Sequence, residues 1–164
     1  MTQSKSPQLI TIENSLQTNA QMLDALHWGE DFSWEQLQTI SYYFKPYAAS
    51  KGTVIYQEGE LGTSMGIIAK GAIGVYKNNK RISTLRVGRT FGEMSVIDAQ
   101  PRSATARAEG ETVFLSLDKT SMLTLADKHP TLAFKIIWNI SRTLSQRLRL
   151  TSAQLAEFLE SNVL

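Results

Sequence analysis

The sequence predicts a mainly β protein, an antiparallel sandwich or barrel with helices at both ends. Three observations carry that prediction. Short β-type runs punctuated by turn residues fill residues 47–117. Apolar residues at helical spacing fill 13–46, and they return after residue 118. No stretch of 10–15 helical residues separates the β-type runs, so parallel βαβ units are not expected.

Residues 1–12 are polar and are expected to form a disordered tail. In the N-terminal helical segment, 13–46, Leu16, Ala20, Leu23 and Leu26 recur at steps of three and four. Ser33 caps a second stretch carrying Leu37, Ile40 and Phe44, which Pro46 ends. The strands expected next are Thr53–Tyr56, Met65–Ile68, Ala72–Tyr76, Ile82–Leu85, Ala104–Arg107 and Thr112–Leu117. Breakers at Gly59, Gly62, Gly71, Asn78-Asn79, Gly88 and Gly110 separate them.

Asp118 is an N-cap for a helix reaching about Asp127, which His129-Pro130 breaks. A last helix is expected from Leu132 to about Glu160. Along it Ile137, Ile140, Leu144, Leu148, Thr151, Leu155 and Phe158 follow one another at three- or four-residue steps, the pattern of one coiled-coil face. A helix that outruns its own domain needs a partner for such a seam. The same helix of a second subunit is the simplest, and packing on the β domain is the alternative. The organisation expected is thus a tail (1–12), N-terminal helices (13–46), a β domain (47–128) and a C-terminal dimerisation helix (129–164).

Composition excludes several function classes. The 164 residues contain no cysteine, which rules out disulfides, thiolate metal sites and a cysteine nucleophile. His27 and His129 stand far apart, so a histidine metal cage is not expected. No run approaches the roughly 20 apolar residues of a membrane span, and the polar start lacks a signal peptide's apolar core, so a cytoplasmic protein is expected. The net charge is +2, too small to argue for nucleic acid. It is uneven, however: residues 1–44 carry Lys5 against five acids, for −4, which leaves +6 on the remainder. No Walker-type or GxGxxG loop occurs, nor a nucleophile with an oriented base, so an enzyme is not expected.

The informative stretch runs from Phe91 to Ala106, between two strands: FGEMSVIDAQPRSATA. Gly92 allows a tight turn and close approach of backbone to a ligand. Glu93 to Ile97 is long enough for one helical turn, whose free N–H groups favour an anion. The Glu93 carboxylate can accept hydrogen bonds from sugar hydroxyls. Pro101 stiffens the approach to Arg102, whose guanidinium can clamp a phosphate, and Ser103 adds a hydroxyl. The plain alternative is a surface turn in which Arg102 and Glu93 pair with each other or with solvent.

Phe-Gly-Glu, an apolar helical turn, a short loop and Pro-Arg followed by small residues together resemble the phosphate-binding cassette of cyclic-nucleotide-binding domains. The similarity runs from about Tyr47 to Phe158 and is strongest to the sensor domain of the bacterial catabolite activator family. It implies a jelly-roll-like antiparallel β-roll with a long C-terminal helix. It implies also that Glu93 holds the ribose 2′-hydroxyl, that Gly92 with the Met94 and Ser95 amides surrounds sugar and phosphate, and that Arg102 and Ser103 contact phosphate. Val75 and Ile82 fall near pocket-lining positions. Thr151-Ser152 matches a pair that reaches the adenine amino group, one residue from each subunit; a helix-surface pair is the alternative. Arg147 resembles a helix arginine that can pair with the cassette glutamate.

The function expected is non-catalytic, signal-transducing sensing of a cyclic mononucleotide, cAMP before cGMP. No cofactor or metal is expected, and occupancy would pass through the long helix to a protein effector. A homodimer is expected, without membrane or direct DNA contact. The chain stops four residues after Glu160, which leaves no room for a recognition helix. Two readings follow, a free-standing sensor, which the Met1 start favours, and the sensor part of a longer transcription regulator. A dimerisation or partner-docking module with a vestigial pocket stays open as well.

Overall fold

The computed structural model describes residues 8–161, in which nine strands form two antiparallel sheets. Numbered in chain order, the first sheet runs β1 (Leu9–Thr11), β2 (Lys45–Ala49), β9 (Thr112–Asp118), β4 (Ser64–Lys70), β7 (Thr90–Phe91). The second runs β3 (Val54–Tyr56), β8 (Thr105–Ala108), β5 (Ala72–Lys77), β6 (Lys80–Arg86). Most sheet neighbours are remote in sequence, as in a jelly-roll. The tight hairpin from β5 to β6 turns on Asn78 and Asn79, both at positive φ (49° and 62°), the backbone a two-residue hairpin turn needs.

Period-two alternation divides each central strand between two cores. In β4, Met65 and Ile67 face the helices, while Ser64, Gly66 and Ile68 face the second sheet. In β9, Leu115 and Leu117 face the helices, and Phe114 and Ser116 face inward. The larger core joins the helical side with Leu23, Leu37, Ile40, Leu125, Ile136 and Ile140. The smaller lies between the sheets, with Ile68, Ile73, Phe91, Ala106 and Phe114. A large apolar and a mixed face on the same strand thus place the helices on one side and an inter-sheet space on the other.

The helices are α1 (Leu16–Asp24), α2 (Trp34–Ser41), α3 (Glu93–Asp98), α4 (Lys119–Lys128) and α5 (Pro130–Ser161), with a 3₁₀ turn at His27–Asp31. Ser33 caps α2 in a full capping box with Gln36, and the Asp118 carboxylate accepts from the Ser121 amide (2.7 Å) to cap α4. Both caps are where the sequence puts them.

Four features depart from the sequence expectation. Leu9–Thr11, inside the segment expected to be disordered, pairs with β2 through Leu9↔Ala49, Ile10↔Ala48 and Thr11↔Tyr47. All three side chains are exposed, so backbone pairing rather than apolar burial holds this strand, and no hydrophobic pattern announces it. Residues 1–7 lie outside the described residues. Pro46 sits inside strand β2 rather than merely ending a helix; it pairs with Leu115, and its carbonyl accepts from the Ile12 amide. The two-residue β7 is too short to show a period. Finally α5 starts at Pro130, where a missing N–H costs nothing, two residues before the expected start.

The expected seam of α5 is split. Ile140 is fully buried in the domain's own core and Leu144 packs against it, whereas Leu148, Leu155 and Phe158 are exposed. The proximal half of the helix is also fastened by polar contacts. Lys135 Nζ donates to the Asp31 carbonyl and Gln36 Oε1 (2.9 Å each), Arg142 pairs with Asp31, and Asn139 donates to the Trp28 carbonyl.

Candidate functional site

The cassette begins where β7 ends. Gly92 takes φ +75° as the residue preceding α3, and a Cβ there would meet Arg102 Nη1 at 2.6 Å and the Ser64 carbonyl oxygen at 3.0 Å. Both the conformation and the space call for glycine.

Arg102 is delivered by a loop held at its backbone. Its N–H donates to the Glu60 carbonyl (2.8 Å), its own carbonyl accepts from the Gly59 amide (2.9 Å), and Pro101 bridges to Leu61. The residue is 6% exposed. Nη1 donates to the Gly92 carbonyl and Nη2 to the Ser64 carbonyl, 2.7 Å each. The guanidinium carbon lies 4.0 Å from the centre of the Tyr56 ring. Gly62 makes the space: a Cβ there would stand 2.5 Å from both Arg102 Nε and Ser95 Cβ. Nε, facing this wall, is buried without an acceptor. Burial pulls the Arg102 pKa below its ordinary value, and Tyr56, Glu60 and Glu93 oppose that fall.

Glu93 does not pair with Arg102, so the surface-turn alternative does not describe this loop. The Glu93 carboxylate is 2% exposed and accepts at Oε1 from Arg147 Nη1 of α5, whose Nη2 donates to the Thr90 carbonyl. Its other oxygen, Oε2, is buried without a donor. One cassette therefore holds a buried carboxylate oxygen without a donor and a buried guanidinium N–H without an acceptor. Each unmet group costs about 1–3 kcal/mol in isolation.

The other expected residues are placed as follows. Ser95 is buried and Met94 exposed. Ser103 is exposed; its hydroxyl lies 3.9 Å from Met94 Sδ, and its carbonyl accepts from Lys77 Nζ (2.8 Å). Lys77 in turn pairs with Glu58 at 2.5 Å, which lowers the Glu58 pKa. Val75 is half-buried and Ile82 exposed. Thr151 and Ser152 are exposed on α5, away from the cassette's own hydrogen bonds.

Sequence reasoning passed over Tyr56, Gly62, Ser64 and Thr90. Ser64 and Thr90 act through backbone carbonyls, which no side-chain pattern marks. Gly62 reads as a turn residue, and Tyr56 as an ordinary strand aromatic. Beside Arg102 a cavity of about 170 Å³ opens between the sheets, lined by Tyr56, Ser64, Gly66, Phe91 and Phe114 among others. Among the described residues no group of three or more His, Asp or Glu could hold a metal ion, and no helix is long and apolar enough to cross a membrane.

A buried glutamate and a buried arginine thus stand on one inter-strand segment, and comparison with known proteins shows the family. The family model for the cyclic nucleotide-binding domain matches residues 48–129. The chain belongs to the cyclic nucleotide-binding domain family. This domain is 29% identical over 120 residues to the cyclic AMP receptor protein of Thermus thermophilus, covering 70% of this chain and 54% of the relative. It is 32% identical over 100 residues to a cGMP-dependent protein kinase of Plasmodium berghei, covering 61% of this chain and 11% of the kinase. The chain thus spans about half of the first relative and a small part of the second. Among solved structures, a cyclic nucleotide-binding domain from Methylobacillus flagellatus superimposes with a TM-score of 0.80 at 25% identity, covering 91% of this chain and 88% of that one. The jelly-roll-like β-roll with flanking helices that the sequence predicts is the fold observed.

Proposed function

We propose that this cyclic nucleotide-binding domain is a non-catalytic sensor of cAMP, and that it relays occupancy through α5 to a protein effector. The observation that carries the reading is the pair of open polar atoms in the cassette, Glu93 Oε2 and Arg102 Nε. A ribose 2′-hydroxyl donates to the first and a cyclic phosphate oxygen accepts from the second. Gly92, Met94 and Ser95 surround sugar and phosphate, and Ser103 adds its hydroxyl. Similarity to a cyclic AMP receptor protein and to a cGMP-dependent kinase makes cAMP against cGMP the first question to test.

The relay reading rests on Arg147. A ligand hydroxyl approaching Glu93 shares the carboxylate with this helix arginine, so the ligand has differential affinity for helix positions that keep or release the contact. Such a difference is what shifts a two-state population. Because the proximal half of α5 is fastened to the N-terminal helices, the response belongs to the segment beyond Arg147.

A homodimer through α5 is part of the proposal. Phe134, Trp138, Leu148, Leu155 and Leu159 are all exposed, and at 3.6 residues per turn they share one face with Ser141, Ser145 and Ser152. Ser152 falls on this outward face. Thr151 falls more than a quarter turn away, toward the side carrying Arg147 and Leu144. That arrangement suits an adenine amino group met by Thr151 of one subunit and Ser152 of the other. We place the protein in the cytoplasm, as a bacterial-type regulator.

Isothermal titration with cAMP, cGMP and cyclic dinucleotides tests the reading. Saturable one-to-one binding of cAMP, tighter than cGMP and without turnover, is expected. Heat only from a cyclic dinucleotide, or from none, would remove it.

A further inference from the structure

Four aromatic rings form a column through the β-roll and end beneath Arg102. Tyr47 of β2 stacks on Phe114 of β9 with ring centres 5.5 Å apart. Phe114 meets Phe91 of β7 edge to face at 5.2 Å, and Phe91 stacks on Tyr56 of β3 at 6.1 Å. Gly66 admits the Phe91 ring, since a Cβ there would lie 2.4 Å from it. The last ring, Tyr56, carries the Arg102 guanidinium on its face at 4.0 Å.

Resting on the ligand reading above, we infer that Tyr56 is a positioning residue for nucleotide binding: its ring face holds the Arg102 guanidinium in the plane that presents Nε to the phosphate. The guanidinium is a planar fork, and three of its directions are accounted for. One N–H of Nη1 and one of Nη2 are spent on the Gly92 and Ser64 carbonyls and one face is on the ring; Nε, against Ser95 and Gly62, is the guanidinium nitrogen without an acceptor. Two hydrogen bonds and the covalent tether at Cδ hold the edges of the fork, and the ring supports one of its faces. In a desolvated setting the face of an aromatic ring attracts a cation, so the hold is energetic as well as steric. Burial pushes the Tyr56 pKa up to about 12, which keeps the phenol neutral, so the ring acts through its π face and not as an anion.

The test varies the ring's charge distribution at constant size. Tyr56→Phe should bind cAMP within about twofold of the parent, because the face is kept. Replacing Tyr56 by mono-, di- and trifluorophenylalanine withdraws electron density stepwise from that face. Affinity should fall with each fluorine, by roughly fivefold to thirtyfold across the series. A ring that merely fills space gives a flat series, and a flat series overturns the inference while leaving the ligand reading intact. A parent protein that binds neither cAMP nor cGMP overturns the ligand reading, and this inference with it.

Discussion

Arg147 of the long helix closes on the Glu93 carboxylate across 54 positions of sequence, and its second nitrogen holds the Thr90 carbonyl. The glutamate is almost fully buried and the arginine one-third exposed, so the pair joins the cassette interior to the helix surface. Removing the arginine leaves a buried carboxylate without its cation, a loss of up to about 3–5 kcal/mol for a fully buried pair and less here because Arg147 is partly solvated. Arg147→Met should therefore lower the melting temperature. It should also raise hydrogen exchange in residues 145–161 more than elsewhere. Exchange that rises evenly over the domain would remove Arg147 as the tie between cassette and helix.

Arg102→Ala removes the guanidinium proposed to donate to the phosphate. Truncating one partner of a desolvated charge pair costs about 2–5 kcal/mol, or roughly 30-fold or more in Kd. Reading the residue from sequence alone, the fold should be indifferent to this change. The structure revises that, because Arg102 also pairs the Gly92 and Ser64 carbonyls and covers Tyr56. A lower Tm is expected together with the lost affinity. Parent-like cAMP binding in a folded Arg102→Ala protein would contradict the cassette assignment.

Glu93→Gln keeps the size of the side chain and should weaken the acceptance proposed from the 2′-hydroxyl. Affinity for cAMP should drop several-fold, while affinity for 2′-deoxy-cAMP, which lacks that donor, should hardly change. The variant should also be less stable without ligand, because the Arg147 ion pair loses its charge. Equal losses of affinity for the two ligands would assign Glu93 to Arg147 alone.

The split seam separates two kinds of helix variant. Leu144 packs on the domain's own core, so Leu144→Glu should unfold or destabilise the monomer rather than simply dissociate a dimer. Leu148 is 68% exposed, and Leu148→Glu should convert a dimer to a monomer in sedimentation equilibrium with little change in the monomer's stability. Thr151→Val should weaken cAMP and narrow its preference over cGMP. A parent protein that sediments as a monomer would sink the dimer and the two-subunit adenine contact together.

Asp118 supplies a pH prediction. Burial acts to raise its pKa, but hydrogen bonds from the Ser121 amide and side chain, together with Lys45, outweigh it and leave the value below the ordinary one. A carboxyl depressed in the folded state stabilises above its unfolded pKa, and that contribution is lost as pH falls through the folded value. Thermal stability should thus decline below about pH 4, the ordinary aspartate range. In Asp118→Asn, which keeps a cap without the charge, the decline should be shallower. Identical acid profiles would exclude Asp118 as a source.

The order of residues by itself determines the class of fold, the caps at Ser33 and Asp118 and the Asn78-Asn79 turn, and it marks Gly92 to Ser103 as the candidate cassette. All of these are local: periodicity, capping oxygens and turn glycines act within a few residues, and a dense run of unusual residue types marks the cassette. The tertiary structure decides what depends on distance in sequence. Strand β1 has exposed side chains and exists only because β2 offers it an edge. The seam of α5 divides because core burial claims Ile140 and Leu144 and stops where the domain ends. Arg102 is positioned by a ring, a glycine and a carbonyl at Tyr56, Gly62 and Ser64, each ordinary in its own stretch. Backbone carbonyls and empty space have no signature in a one-dimensional sequence, so only folding brings them to the guanidinium.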